Sequence, residues 1–424
     1  MEHRARDEPM RGPQRTPAGV RRAPHGSTLE RMTGSPLPRR RFLSGVAKAA
    51  AVGAVAPAVL ARAGFARTDS LHQFLVRALA EADTPGIAVA VVRGDEIVYA
   101  DGVGWADRER GLRVTPRTAF QLASVSKTVT CAGIMALVEE GRLDLDADVN
   151  DYLPFEVHVP AAPATPVTMR QLLTHTSAIR DRNVWGTPWT KHTLYFHGDS
   201  PIPLERFCRS YYLPGGKRYE DHNFFDRSPG AKYSYSNLAV ALSGLVAQTI
   251  SGVDFDEWCM RRILAPLGMT NSGYRLEDIG SADVAMPYQQ RRRGLEPIFQ
   301  YGYPDYPDGA LRASALHLAR WLGAFMNFGT FQGARVLDAD IVTEIRRKQL
   351  HGLVPWHQGL IWYTEKRWGF EAMGHTGGDF GESTRMFFRP DRGVGVVSLT
   401  NAYLSGRHWA AFSDIEHRLF AEFS

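Results

Sequence analysis

The chain has 424 residues, of which 44% are hydrophobic and 22% charged, ordinary globular usage that excludes a fibrous or wholly disordered protein. Its formal net charge of +5 originates in the first 66 residues, which hold 12 Lys/Arg against 4 Asp/Glu, whereas the remainder holds 38 against 41, a net −3. With the basic excess confined to that leader, the electrostatic case for a nucleic-acid partner falls away.

Residues 1–31 are rich in Arg and Pro and are expected to be unstructured. Arg39-Arg40-Arg41-Phe42-Leu43 then precedes an Ala-rich apolar run from about Gly45 to Leu60. Small residues follow at Ala61-Arg62-Ala63 and Gly64-Phe65-Ala66. This is the layout of a signal peptide, and the paired arginines match the twin-arginine type. The run is shorter than the roughly 20 residues of a spanning helix and Lys48 interrupts it. The mature chain is therefore expected to be exported, periplasmic or secreted, without stable membrane insertion after cleavage; an uncleaved anchor or a basic tail is the alternative. Read from Met32, the signal has a normal length.

Past the leader, Leu71, Phe74, Leu75 and Leu79 have helical spacing over Asp69–Ala82. Gly86–Val92 and Ile97–Ala100 read as strands around a turn at Arg93-Gly94-Asp95-Glu96. Helical patterns dominate the middle, among them Ser126–Glu140, ending at Gly141, and Ser236–Ile250, ending before Ser251-Gly252. Strand patterns return at Gln358–Thr364, Phe370–His375, Ser383–Phe388 and Val394–Leu399, and a last helix is predicted over Trp409–Phe423. Strands at both ends of a helical middle predict an α+β fold: one antiparallel sheet flanked by helices, built from 67–121 and 275–424, with a mainly helical domain, 122–274, inserted. Cys131, Cys208 and Cys259 are too few and too scattered for a disulfide framework or zinc cluster, and Cys131 reads as an inert core residue.

Gly-x-Ser-x-Gly, His-Glu-x-x-His, the Walker loop and Gly-x-Gly-x-x-Gly are absent. Present is Ser124-Val125-Ser126-Lys127 at the start of a helical pattern, where positions i and i+3 share a face. A serine hydroxyl needs a neighbouring base to act as a nucleophile, and a lysine becomes one only when burial or a nearby cation lowers its pKa. Alone, the spacing equally fits two solvated polar residues. Tyr235-Ser236-Asn237 opens the second strong helix: a phenol can relay a proton and an amide can hold a carbonyl, while packing and helix capping are the bland alternatives. His375-Thr376-Gly377-Gly378 ends a predicted strand, its glycines permitting close approach of a ligand or simply a turn. The aromatic-rich segment Arg180–Lys232, with Trp185, Trp189, Tyr195 and Tyr211 among its rings, and the Tyr301–Tyr306 stretch read either as cleft walls or as packed loops.

Taken together, Ser-Val-Ser-Lys, Tyr-Ser-Asn and His-Thr-Gly in this order resemble the serine β-lactamase and penicillin-recognising superfamily, most closely its class C-like branch of esterases, D-aminopeptidases and DD-carboxypeptidases. Leu172-Leu173-Thr174-His175-Thr176-Ser177, Ile263–Met269 and Asn401 support the resemblance, which runs from about Thr84 to Phe412. It implies Ser124 as the acylated nucleophile, Lys127 as its base or proton shuttle and Tyr235 as a general base. Asn237, His375, Thr376 and Gly377 would contact substrate, and the N–H groups of Ser124 and Gly378 would form the oxyanion hole. No metal or organic cofactor is implied, and the partner expected is a small-molecule or short-peptide substrate. His375 stands where many relatives carry a lysine able to pair with a substrate carboxylate, which points to esters or amides lacking that group. The alternatives are a D-amino-acid peptidase, DD-carboxypeptidase or β-lactamase on cell-wall-type substrates, and a non-catalytic binding or scaffold protein retaining the fold.

Overall fold

Strand β1 (Gly86–Arg93) is an almost unbroken apolar run, buried from Gly86 to Val92, which requires that both faces of its sheet be covered. The computed structural model describes residues 70–182, 186–188, 193–280, 284–292 and 294–424. The leader with its export signal, Trp185 and Trp189 lie outside the described residues. Strand β1 is followed by β2 (Glu96–Asp107) and β3 (Leu112–Arg113); the C-terminal part supplies β4 (Tyr363–Arg367), β5 (Phe370–Asp379), β6 (Glu382–Arg389) and β7 (Val394–Thr400). These seven form one antiparallel sheet in the order β4-β5-β6-β7-β1-β2-β3, so the two ends of the described chain meet where β7 pairs with β1, Val89 opposite Ser398.

The pleat divides β1 between two cores: Ala88, Ala90 and Val92 face one side, Ile87, Val89 and Val91 the other. The second side is covered by α1 (Leu71–Glu81), started by a Ser70/Gln73 capping box, and by the C-terminal helix α6 (Gly406–Phe423). The first side carries α5 (Ala315–Met326), which comes so close that a Cβ at Gly395 of β7 would sit 2.6 Å from the Leu322 side chain. The same core continues into α2 (Ser126–Glu139), α3 (Met169–Leu173) and α4 (Asn237–Ser251). Every residue of α2 from Ser126 to Leu137 is buried, so this helix is enclosed on all sides rather than amphipathic. The antiparallel sheet with flanking helices and a helical middle is the predicted fold class. Cys131, Cys208 and Cys259 are buried free thiols.

Two local expectations change. The strand predicted over Gln358–Thr364 begins only at Tyr363: Ile361 has φ +64°, and Ile361 and Leu360 donate their N–H groups to Leu173 and Ile345, off the sheet. Strand β5 does not end at His375 but runs through the glycine pair to Asp379. Strand β4 pairs with it from Phe370 to Gly374; from His375 onward only β6 continues alongside. Among the described residues no single helix is long and apolar enough to cross a membrane, and a bent pair that would suffice by composition, Asn237–Ser251 with Phe255–Leu264, begins with the core helix α4.

Candidate active site

Ser124 lies on a tight turn, Ala123–Val125, that leads from a short strand (Ala119–Gln121) into α2. The turn is strained: Ala123 has φ +46°, in the left-handed region that a side chain disfavours. It is held there from both directions. Leu122 donates its N–H to Leu311 at 2.8 Å, and its carbonyl accepts the Thr384 hydroxyl of β6 at 2.7 Å. The lone-sided half of β5 presses on the same turn, where a Cβ at Gly377 would collide with the Leu122 carbonyl and stand 3.1 Å from the Ser124 nitrogen. Only glycine permits that approach of two main chains.

One turn of helix later, Lys127 is fully buried and its Nζ donates to Ser124 Oγ at 3.0 Å and to the Asp308 main-chain carbonyl at 2.6 Å. From the start of α4, the Tyr235 hydroxyl donates to Ser124 Oγ at 2.8 Å. The three residues expected to converge therefore do so, from positions 111 residues apart in the chain. Burial drives the Lys127 amine below its ordinary value, although the carboxylates of Asp308, Asp181, Asp305 and Asp379 pull it back up. Burial likewise drives the Tyr235 phenol above its ordinary value, so it stays protonated at neutral pH. A protonated phenol and a base-prone amine on one hydroxyl form a proton path away from the serine.

His375 donates from Nδ1 to the Thr376 carbonyl at 2.6 Å, because only an N–H can satisfy a carbonyl. Burial, reinforced by Lys127, lowers its imidazole to about 3, so the position carries no cation at neutral pH. Its ring lies 6.3 Å from that of Tyr235 and 5.3 Å from that of Tyr363, whose hydroxyl is 3.1 Å from Thr376 Oγ1. Gly378 follows Gly377 on the strand stretch beside the nucleophile turn. Asn237 is half-buried as the first residue of α4, but the cap is Ser236, whose hydroxyl accepts the Ala239 N–H at 3.0 Å.

Several residues of the site had no signal in the sequence. Asp181 anchors the start of α4 by accepting Ser236 Oγ and the Asn237 N–H, both at 2.7 Å, and the Leu238 N–H at 3.2 Å; an anion suits a helix N-terminus. Asp308, Asp305 and Asp379 surround Lys127 with buried carboxyls, and burial raises that of Asp379 to about 6. The aromatic stretches resolve mostly as packing: Phe207, Tyr211, Tyr212 and Phe224 lie in the main core, and Tyr301 and Tyr303 are buried around Tyr195 rather than lining an open rim. Tyr195 does reach the site, donating to Asp379 at 3.1 Å. Among the described residues no group of three or more His, Cys, Asp or Glu side chains is placed to hold a metal ion.

An antiparallel sheet flanked by helices, with a serine held between a buried lysine and a tyrosine, defines a protein of the serine β-lactamase and penicillin-binding superfamily. The Beta-lactamase family model matches residues 71–411, and the chain belongs to that family of serine hydrolases. Penicillin-binding protein 4 of Amycolatopsis lactamdurans is 28% identical over 358 residues, covering 81% of this chain and 86% of its own length. Protein flp of Staphylococcus aureus (strain N315) is 24% identical over 265 residues, 61% of this chain; the match spans about half, 49%, of that curated relative's length. Among solved structures, the octameric penicillin-binding protein homologue from Pyrococcus abyssi superposes with a TM-score of 0.64 at 26% identity, covering 82% of this chain and 77% of its own. D-amino acid amidase from Ochrobactrum anthropi SV3 shares the fold with a TM-score of 0.65 at 18% identity, over 84% of this chain and 98% of its own.

Proposed function

We infer that the protein is an acyl-transferring hydrolase that cleaves an ester or amide through a covalent intermediate on Ser124. The observation that carries this reading is the Ser124 hydroxyl within hydrogen-bond distance of both the Lys127 amine and the Tyr235 phenol. As Ser124 Oγ bonds to the substrate carbonyl carbon, its proton passes to the Lys127–Tyr235 pair. The carbonyl oxygen gains negative charge opposite the N–H groups of Ser124 and Gly378. Collapse expels the alcohol or amine, which takes up the proton, and a water attacking the acyl carbon then frees the acid and restores the serine. Asn237, Thr376 and Gly377 would orient the substrate.

The neutral His375 supports substrates without a carboxylate at the position where relatives place a lysine, hence simple esters and amides rather than penicillins or D-Ala termini. The arginine-paired leader supports export from the cytoplasm, and fractionation of cells expressing the whole chain tests that separately. For the chemistry, a fluorophosphonate probe is expected to add one adduct, read by intact mass, that is absent in Ser124→Ala. Hydrolysis of p-nitrophenyl esters by that variant should fall by about 10⁴-fold or more. Labelling unaffected by Ser124→Ala, or no adduct on the folded wild-type protein, refutes the reading and leaves a binding protein on a hydrolase fold.

A further inference from the structure

Three contacts from a single residue converge on the segment that carries Tyr235. The His175 carbonyl accepts the Ser234 N–H at 2.7 Å, its Nδ1 accepts the Ser236 N–H at 3.2 Å, and its ring lies against the Tyr235 ring with centroids 4.3 Å apart. The residues before and after the tyrosine, and the tyrosine ring itself, are thus gripped from one side. The grip is itself anchored. His175 follows Thr174, the C-cap of α3, is 2% exposed, and meets Tyr233 edge-on at 5.9 Å. Its φ is +57°, a region in which His, Asn and Asp are enriched over other side chains.

The chemistry of the ring fits the grip. To accept a main-chain N–H, Nδ1 must be unprotonated, and burial, with Lys127 and His375 nearby, keeps the imidazole neutral well below its ordinary value. The ring proton then sits on Nε2, a buried atom with no hydrogen-bond partner among the described residues. A residue present for packing alone would avoid that cost by being Phe or Leu. A nitrogen acceptor at this position has a use only if the Ser236 N–H, and with it the direction of the neighbouring side chain, has to be fixed.

We propose that His175 is a positioning residue for the reaction at Ser124, its Nδ1 acting as the acceptor that fixes the Ser234–Ser236 segment so that the Tyr235 hydroxyl points at the nucleophile. This rests on the reading of Ser124, Lys127 and Tyr235 as the reacting set. Without the acceptor the Ser236 N–H must find another partner, and the phenol leaves the line to Ser124 Oγ. Displacement of a catalytic group by about 1 Å costs up to about 10²-fold in rate while leaving substrate contacts largely in place.

The test varies the position of the acceptor with the ring removed, and removes the acceptor with a ring kept. In His175→Asn the carboxamide oxygen stands two bonds from Cβ, as Nδ1 does, and Asn tolerates φ above zero; in His175→Gln it stands one bond further out; His175→Phe keeps a ring and removes the acceptor. With p-nitrophenyl esters, kcat of His175→Asn is expected within about threefold of wild type, and that of His175→Phe and His175→Gln lower by about 10- to 100-fold, with KM within about threefold throughout. Thermal unfolding of each variant separates lost positioning from lost fold. If His175→Phe does not fold, Asn against Gln decides. Wild-type kcat in folded His175→Phe or His175→Gln, or His175→Asn as slow as either, overturns the proposal. If instead Ser124→Ala keeps the fluorophosphonate adduct, the underlying reaction is wrong and not merely the part His175 takes in it.

Discussion

Two buried cations lie on opposite sides of the central sheet and have opposite fates. Arg385 of β6 is 1% exposed and donates to the Glu416 and Glu365 carboxylates, each at 2.7 Å, with the Phe387 and Trp409 rings 4.8 and 5.3 Å away. Burial alone would lower its pKa, but Glu416 and Glu365 more than offset that and hold it charged. Lys127 is equally buried, yet its hydrogen-bond partners are a hydroxyl and a main-chain carbonyl, and the carboxylates act on it only from further away. Its amine is driven down. The difference shows how one fold separates structure from chemistry: a buried charge matched by carboxylates in contact stays fixed, and one left partly unmatched becomes a base.

That contrast is most sharply broken by Lys127→Met, which keeps the volume and removes the amine. It is expected to lower kcat by about 10³-fold or more while leaving the unfolding temperature unchanged or raised, since an incompletely paired buried charge is removed. In the wild type, kcat/KM should rise with pH as Lys127 loses its proton, with an apparent pKa below the ordinary 10.5 of lysine. A variant that is unstable but active would reverse the assignment. The mirror experiment is Arg385→Met, which strands Glu416 and Glu365. It should cost about 3–5 kcal/mol in urea unfolding, with kcat below the transition within about threefold of wild type. A large loss of kcat in the folded variant would show that this pair reaches the site. The smallest effect is expected of His375→Lys, which restores a cation beside Ser124. The ratio of kcat/KM for a carboxylate-bearing substrate over an uncharged ester should rise about tenfold, the typical worth of one partly buried ion pair, and an unchanged ratio counts against a specificity role.

Much of the frame was legible because its causes are local. The hairpin at Arg93–Glu96, the enclosed helix after Ser124 and the strands around Phe387 and Val396 all follow from apolar period and turn residues within a dozen positions. The convergence of Ser124, Lys127 and Tyr235 was legible for another reason, the order of three motifs. Where expectation and structure part, a distant contact had the deciding influence. Gln358–Trp362 has a strand's composition, but Leu360 and Ile361 give their N–H groups to Ile345 and Leu173. Strand β5 outruns its prediction through Gly377 and Gly378, poor strand formers alone, and Gly377 is needed there because the Ser124 turn leaves no room for a side chain.

By itself the sequence determined the alternation that builds the sheet, the mostly apolar helices that fill the middle, and which hydroxyl, amine and phenol were chemically able to meet. It could not determine their protonation. The pKa of Lys127 depends on its burial and on carboxylates from three separate segments of the chain, and the aim of Tyr235 depends on a histidine 61 positions before Ser236. Burial and field strength are sums over everything packed around a group, so they come into existence only when the chain has closed on itself.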